Sequence, residues 1–175
     1  MKIIVLVGCT VIAAASPAFA QTNPLSTAAK QTFQLVQGNI VKAAEQVPEA
    51  EYAFKPVDTV RNFGAIVGHI ANANFMICSA ASGAANPMKE TDIEKTKTTK
   101  ADLQKALAES FTFCEAQFDA LTDAKATEVT EFFGRKMPRL NVLQFNTAHD
   151  FEHYGNLATY MRIKGHVPPS SQGGM

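Results

Sequence analysis

Apolar residues recur at every third or fourth position in several long stretches of the chain, which is the spacing of an amphipathic helix. No stretch shows a convincing alternation of apolar and polar residues, as a half-buried strand would. The pattern predicts an all-α fold that forms a four-helix bundle. The first three apolar stripes are Leu25, Ala29, Phe33, Val36, Ile40 and Val47; Phe63, Ile66, Val67, Ile70, Ala73 and Ile77; and Leu103, Leu107, Phe111, Cys114, Phe118 and Leu121.

Proline and glycine mark where these predicted helices begin and end. Pro24 opens the first helix and Pro48 ends it, and Gly83 ends the second. Pro138 opens the fourth helix, which continues to the stop at Gly165.

Two of the three connections between the predicted helices have a distinctive composition. Residues 83–97 are polar and rich in charge, and they form the longest connection, between the second and third helices. Residues 123–137 contain a partial alternation of apolar and polar positions. The second connection is therefore interpreted as either a short extended segment or an irregular loop.

The first twenty residues have the features of a secretory signal. Lys2 precedes an apolar stretch from Ile3 to Ala15, and Ala18-Phe19-Ala20 offers a cleavage site. Cleavage there would leave one domain, residues 21–175, in the periplasm or outside the cell. A lipoprotein cleavage site at Cys9 is the alternative, although its apolar region would be short. No other apolar run approaches the roughly 20 residues of a membrane helix, so no membrane partner is expected after cleavage.

The charge balance narrows the range of partners. Lys and Arg together number 16, Asp and Glu together also number 16, and charged residues make up only 18% of the chain. Such a chain has no net field to attract a polyanion, so a nucleic acid is excluded as the expected partner.

Two cysteines, Cys78 and Cys114, remain in the mature chain if the signal is removed. An oxidising compartment would allow an intrachain disulfide between them, and this pairing is favoured over two separate buried thiols. If they pair, they tie the second helix to the third across the long connection. Neither lies in a C-x-x-C pair, so thiol exchange of the thioredoxin type is not expected.

Histidines supply the candidate chemistry. His149 and His153 are four residues apart on the fourth helix and project from one face, and His69 lies on the second helix next to Gly68. A divalent metal would organise such imidazoles, and three protein ligands would leave a coordination position open, as in catalytic sites. A polar cluster that fixes helix register is the alternative. The stripe expected to face the interior is Val142, Phe145, His149, His153, Asn156, Tyr160 and Ile163.

Four motifs carry a further signal: Phe54-Lys55-Pro56 through Arg61-Asn62-Phe63-Gly64, then Val67-Gly68-His69-Ile70, then His149-x-x-x-His153-Tyr154-Gly155-Asn156, and the tail from Tyr160 to Pro169. In these motifs the chain resembles the DinB-like (DinB/YfiT) superfamily of metalloenzymes. The resemblance implies an up-down-down-up bundle with a long crossover between the second and third helices. It also implies that His69, His149 and His153 are the metal ligands. Many members have His-Arg-Gly-Gln where this chain has His153-Tyr154-Gly155-Asn156.

The first functional hypothesis is a metal-dependent hydrolase or transferase that holds Zn, Ni or Fe and acts on a small molecule. Glu152 is the nearest carboxylate in sequence and is a weak candidate for general base, with a solvated helix charge as its alternative role. His166 is interpreted as a loop residue. Small residues near the site, Gly64 and Gly68, suggest space beside the metal, or simply close helix packing.

Two other hypotheses belong to different classes. One is a non-catalytic periplasmic bundle that sequesters a metal or a small ligand. The other is a stress-related domain with a vestigial metal site, acting through protein contacts as a homodimer. A closed coordination sphere would favour the metal buffer, and a pocket beside the metal would favour the enzyme.

Overall fold

Four long helices dominate the computed structural model, which describes residues 22–173. The predicted signal segment and Cys9 therefore lie outside the described residues. The elements in chain order are α1 (Pro24–Gln46), α2 (Phe63–Ser82), α3 (Ile93–Thr96), α4 (Lys100–Ala120), α5 (Asp123–Ala126), β1 (Val129–Phe132), β2 (Arg135–Pro138) and α6 (Arg139–Ile163), with short 3-10 turns at Glu49–Glu51 and Pro169–Ser171.

Local sequence explains the helix boundaries. The Asn62 side chain accepts a hydrogen bond from the Ala65 backbone N–H at 2.7 Å and caps the start of α2. Gly83 ends the same helix with φ at 78°, a left-handed conformation that glycine adopts without steric cost. The Thr99 hydroxyl oxygen accepts a hydrogen bond from the backbone N–H of Asp102 at 3.1 Å and caps the start of α4.

The bundle has the predicted up-down-down-up arrangement. The Lys100 ammonium donates to the backbone oxygen of Val47 at 2.8 Å, so α4 starts where α1 ends. The N–H of Gly64 donates to Tyr52 O at 2.8 Å, so α2 starts at that end as well. The Gln46 side chain donates to Val167 O at 3.1 Å, which places the end of α6 beside the end of α1. Helices α2 and α4 therefore run antiparallel to α1 and α6, and the all-α bundle is confirmed.

Aromatic side chains fill the core between α1 and α4. Phe33 is fully buried, and its ring centroid lies 4.7 Å from that of Phe118 and 5.7 Å from that of Phe111. Burial of each such ring contributes about 1.5 to 3 kcal/mol relative to an exposed position. This apolar packing holds α1 against α4.

The crossover between α2 and α4 is fastened to α2. The Asn72 side chain accepts a hydrogen bond from Ile93 N at 2.9 Å and donates one to an Asp92 carboxylate oxygen at 2.8 Å. Ile93 is 1% exposed and anchors α3 in the core. These contacts hold the next residue, Glu94, against α2.

The connection after α4 contains a hairpin at residues 129–138, so the extended alternative is correct for that part, whereas residues 123–126 form the short helix α5. Strands β1 and β2 pair antiparallel, with Phe132 opposite Arg135. Phe133 and Gly134, with φ of 48° and 70°, form the two-residue turn, and positive φ at both positions matches the twist of a hairpin.

The predicted inward stripe of α6 is wrong at several positions. Phe145 is 42% exposed and Ile163 is 56% exposed, whereas Asp150 is fully buried. Helix α6 packs against both α1 and α2, so the buried surface is broader than one stripe and its centre is displaced by about one residue. The buried residues are Val142, Leu143, Asn146, Thr147, Asp150, His153, Tyr154, Leu157, Ala158, Tyr160 and Met161.

A disulfide joins Cys78 of α2 to Cys114 of α4, with their Cα atoms 5.4 Å apart. Both side chains are fully buried. Among the described residues, α2 is the one helix long and apolar enough to span a membrane, but 72% of its most apolar window is buried inside the fold. Its hydropathy is that of a core helix.

Candidate metal centre

Three histidines from two helices meet on one side of the bundle. His69 comes from α2, and His149 and His153 come from successive turns of α6. The Nε2 atom of His149 lies 3.2 Å from His69 Nε2 and 3.1 Å from His153 Nε2. All three candidate ligand atoms lie within 4.8 Å of one another.

These distances suit a shared metal ion. Two imidazole nitrogens bound at about 2.0 to 2.1 Å to one ion lie about 3 to 3.5 Å apart in tetrahedral or octahedral geometry. The Nε2 atom of His149 is in hydrogen-bond range of two other imidazole nitrogens, but it carries only one proton or one lone pair, so it can make only one good hydrogen bond. One cation at the centre can accept all three lone pairs, and the residues therefore fit a divalent transition metal.

The pKa values of all three imidazoles favour the neutral form that binds metal. Burial, followed by the charges of His149 and His69, lowers the pKa of His153 to about 4. Burial also lowers the pKa of His149 and of His69, and the Arg61 guanidinium adds to the lowering at each site. The cluster is therefore unprotonated at neutral pH.

Glu94, from the crossover, sets the orientation of His69. One carboxylate oxygen of Glu94 lies 3.3 Å from His69 Nδ1, and the other accepts a hydrogen bond from Arg61 Nε at 2.8 Å. A carboxylate at Nδ1 holds the proton there and leaves the Nε2 lone pair free for a metal. Sequence analysis did not identify Glu94, although an isolated apolar residue, Ile93, within the charged connection was a signal that this segment packs against the bundle.

Close approach of the crossover depends on Gly68. A Cβ at this position would lie 2.8 Å from the Cα of Glu94, and one at Gly64 would meet Tyr52 and Leu103 side-chain atoms at 3.2 Å. These glycines therefore serve close packing, and the interpretation that they open space for a substrate is wrong.

The other two histidines have different surroundings at Nδ1. The side-chain amide nitrogen of Asn156 lies 3.4 Å from His153 Nδ1. Metal binding at Nε2 of His153 requires the ring proton to be on Nδ1. Rotation of the Asn156 amide brings its oxygen to this position, where it accepts a hydrogen bond from that N–H. The Nδ1 atom of His149 is buried and has no hydrogen-bond partner within residues 22–173. His69 and His153 are thus the better oriented ligands.

A pocket of about 590 Å³ opens beside His153. Its floor includes the buried Ile66, and the Tyr160 hydroxyl at its edge donates to the backbone oxygen of Arg61 at 3.0 Å. The full lining is Thr59, Val60, Arg61, Ile66, Glu94, Glu152, His153, Asn156 and Tyr160. The cluster therefore has an open side with room for a small molecule.

The carboxylates near the cluster differ in position. Glu152 is exposed and lines the pocket. Asp150 is fully buried on the core side, where burial raises its pKa well above the usual value, and one of its oxygens has no partner within the described residues. His166 lies outside the cluster, with its Nε2 2.8 Å from a Glu51 oxygen.

Comparison with known proteins places the chain in a family. The sequence profile of the DinB superfamily matches residues 32–157. The chain belongs to the DinB superfamily. This DinB-superfamily chain is 30% identical over 129 residues to the YjoA protein of Bacillus subtilis (strain 168), which covers 71% of the chain and 80% of YjoA.

Solved DinB-like structures share the fold. The crystal structure of B. subtilis YjoA has a TM-score of 0.67 at 24% identity and covers 85% of this chain and 99% of its own. A DinB-like protein from Bacillus cereus has a TM-score of 0.69 at 19% identity, with 82% and 95% covered. YfiT from B. subtilis, described as a probable metal-dependent hydrolase with an unusual four-helix bundle topology, has a TM-score of 0.62 at 14% identity, with 87% and 94% covered.

Proposed function

We propose that this protein is a metal-dependent hydrolase of a small molecule, with His69, His149 and His153 as the ligands of one Zn, Ni or Fe ion. The convergence of three neutral imidazoles beside an open pocket is the observation that carries the proposal. The description of YfiT as a probable metal-dependent hydrolase supports the same reaction class. A metal buffer would have no use for the open side, so the pocket favours the enzyme over the sequestering protein.

The chain's own residues have separate roles in this proposal. Glu94 fixes the tautomer of His69 through the 3.3 Å contact at Nδ1. Glu152 lines the pocket and is placed to take the proton from the attacking water. When bound, the metal supplies Lewis acidity that brings the pKa of water towards neutrality.

Metal content tests the ligand assignment. Protein purified without an affinity tag or chelator should contain about one equivalent of a transition metal by elemental analysis. His69→Ala, His149→Ala and His153→Ala should each lose it, because three ligands are the minimum for such a site. His166→Ala is the matched control, since this histidine contacts Glu51 outside the cluster, and it should keep the metal. Full metal retention by a His149→Ala, His153→Ala double variant would reject the site.

Activity tests the reaction class. The metal-loaded protein should hydrolyse 4-nitrophenyl esters of acetate or phosphate, and chelation should abolish the reaction. Glu152→Gln should lower kcat by about 10²-fold or more with the metal retained, as expected for a lost general base. Metal-loaded protein that turns over none of these esters would instead favour the non-catalytic binding protein.

We also infer that the protein acts in the periplasm or outside the cell. The signal features of residues 1–20 carry this inference, and the buried disulfide between Cys78 and Cys114 supports it because such bonds persist in oxidising compartments. Fractionation of expressing bacterial cells tests it. Recovery of the uncleaved chain in the cytoplasm would contradict export.

A further inference from the structure

Arg61 is the one cationic side chain that lines the pocket beside the histidine cluster. Its Nε donates to Glu94 at 2.8 Å, and its side chain is 45% exposed. Within residues 22–173, its two terminal nitrogens have no hydrogen-bond partner. The residue is therefore held at one point, with its remaining donors available to a ligand.

The free end of this guanidinium has a defined chemical preference. Two parallel N–H groups at the end of the fork match the two oxygens of a carboxylate or a phosphate. The contact with Glu94 uses only Nε and holds the fork in place, so less side-chain freedom is lost when an anion binds. A lysine could replace the ion pair with Glu94 but would not offer the second, bidentate contact.

The charges around the pocket make this recognition depend on the metal. Arg61 contributes one positive charge, and Glu94 and Glu152 contribute one negative charge each. A divalent ion in the histidine cluster changes the net charge of this group of residues from negative to positive. The loaded pocket would then attract an anion, whereas the empty pocket would not.

The connection between Arg61 and the cluster is short. A single carboxylate, that of Glu94, contacts both the Arg61 Nε and the His69 Nδ1. Both Arg61 and His153 line the same pocket, so one small molecule can contact the guanidinium and the metal together.

We propose that the pocket recognises a small molecule with a carboxylate or phosphate group, that the terminal nitrogens of Arg61 bind this group, and that the cleaved bond lies towards the histidine cluster. This inference rests on the proposed hydrolase function, and it adds the substrate class. Arg61 is thus a specificity-determining residue that selects anionic substrates over neutral ones.

Binding of simple anions tests the assignment. The probes are linear dicarboxylates from malonate to adipate, monocarboxylates of the same chain length, and inorganic phosphate, each titrated calorimetrically into zinc-loaded protein. At least one dicarboxylate, or phosphate, should bind about tenfold or more tightly to the native protein than to Arg61→Gln. The monocarboxylates carry one anionic group and can use the metal or Arg61 but not both, so Arg61→Gln should lower their affinity less than that of the dicarboxylates.

Two further variants serve as controls. Arg61→Lys should restore part of the affinity, because it keeps the charge and loses the fork. Lys55→Gln removes a positive charge from the same segment outside the pocket, where Lys55 pairs with Asp58, and should bind the probes like the native protein. Arg61-dependent binding of phosphate but not of dicarboxylates would assign the phosphate group, and the reverse would assign the carboxylate.

Metal content, measured on the same samples, separates the two levels of inference. Absence of zinc from the native protein would overturn the metal site itself. Stoichiometric zinc with equal dicarboxylate and phosphate affinity in the native protein and Arg61→Gln would overturn the role of Arg61 and leave the metal site intact.

Discussion

One methyl group at Gly68 tests the contact between the crossover and α2, the helix that carries His69. A Cβ at this position would lie 2.8 Å from Glu94 Cα, 3.1 Å from Glu94 N and 3.2 Å from Leu103 Cδ2. The first two are backbone atoms, so rotation of a side chain does not relieve the overlap. Gly68→Ala therefore pushes the crossover away from α2 and displaces Glu94 from His69.

The magnitude follows from two opposing effects. Overpacking of this kind costs about 1 to 3 kcal/mol. Replacing glycine by alanine within a helix contributes about 0.5 to 1 kcal/mol in the stabilising direction. We expect Gly68→Ala to lower the free energy of unfolding by about 0 to 2.5 kcal/mol, in contrast to the increase expected at an unobstructed helical glycine.

Two other helical glycines provide matched controls. A Cβ at Gly38 of α1 or at Gly155 of α6 meets nothing within 4 Å. Gly38→Ala and Gly155→Ala should therefore raise the free energy of unfolding by about 0.5 to 1 kcal/mol. The same substitution thus has opposite signs according to whether the backbone of the crossover is nearby.

Urea denaturation of the metal-free proteins, followed by circular dichroism, measures these differences from the shift of the midpoint at constant m value. Metal titration of the folded Gly68→Ala protein should also show weaker binding, because the carboxylate that orients His69 has moved. A Gly68→Ala protein that is stabilised like the two controls would refute the close approach of the crossover.

Four further predictions concern single contacts. Glu94→Gln should keep the fold but weaken metal affinity by about 10- to 100-fold in a calorimetric titration, and an unchanged affinity would remove its orienting role. Asp150→Asn should stabilise the metal-free protein at neutral pH. Burial raises the pKa of Asp150 in the folded state, so above the ordinary carboxyl pKa the carboxylate ionises more readily in the unfolded chain and favours unfolding. The stability gained by the variant, measured by urea titration, should therefore grow as the pH rises and be smallest in acid. The pKa of His153 is lowered to about 4 in the folded protein, so below about pH 6.5 this imidazole binds a proton in the unfolded chain but not in the folded one. The free energy of unfolding should therefore fall between about pH 6.5 and pH 4. His153→Ala should make it depend less on pH over this range. The double variant Cys78→Ala, Cys114→Ala should lose about 3 to 4 kcal/mol, since the bridged residues are 36 apart in sequence, and a loss near zero would show that chain entropy does not govern this bond.

The helices and the shared face of His149 and His153 could be predicted from the sequence because they depend on local periodicity. His149 and His153 lie one helical turn apart, so a shared face follows from helix geometry alone. The meeting with His69, 80 residues earlier in sequence than His149, required the family resemblance, since periodicity does not specify which helices are neighbours.

The role of Glu94 could not be predicted for the same reason. It comes from the charged crossover, and its contact with His69 depends on the return of that segment across Gly68. The buried position of Asp150 could not be predicted either, because a single stripe at helical spacing does not allow for the packing of α6 on both α1 and α2.

The cross-links of the bundle are unevenly distributed, and this shapes how the fold can open. Helix α2 is bonded to α4 through the disulfide, and a metal held by the three histidines would fasten it to α6 as well. Helix α1 contains no cysteine or histidine, so neither a disulfide nor a histidine-bound metal ties it, and packing, hydrogen bonds and the ion pair between Lys30 and Asp119 hold it to the others. With a metal bound, α1 would be the one long helix of the described residues without a covalent or coordinate tie, and we expect its amide hydrogens to exchange faster than those of the other three long helices.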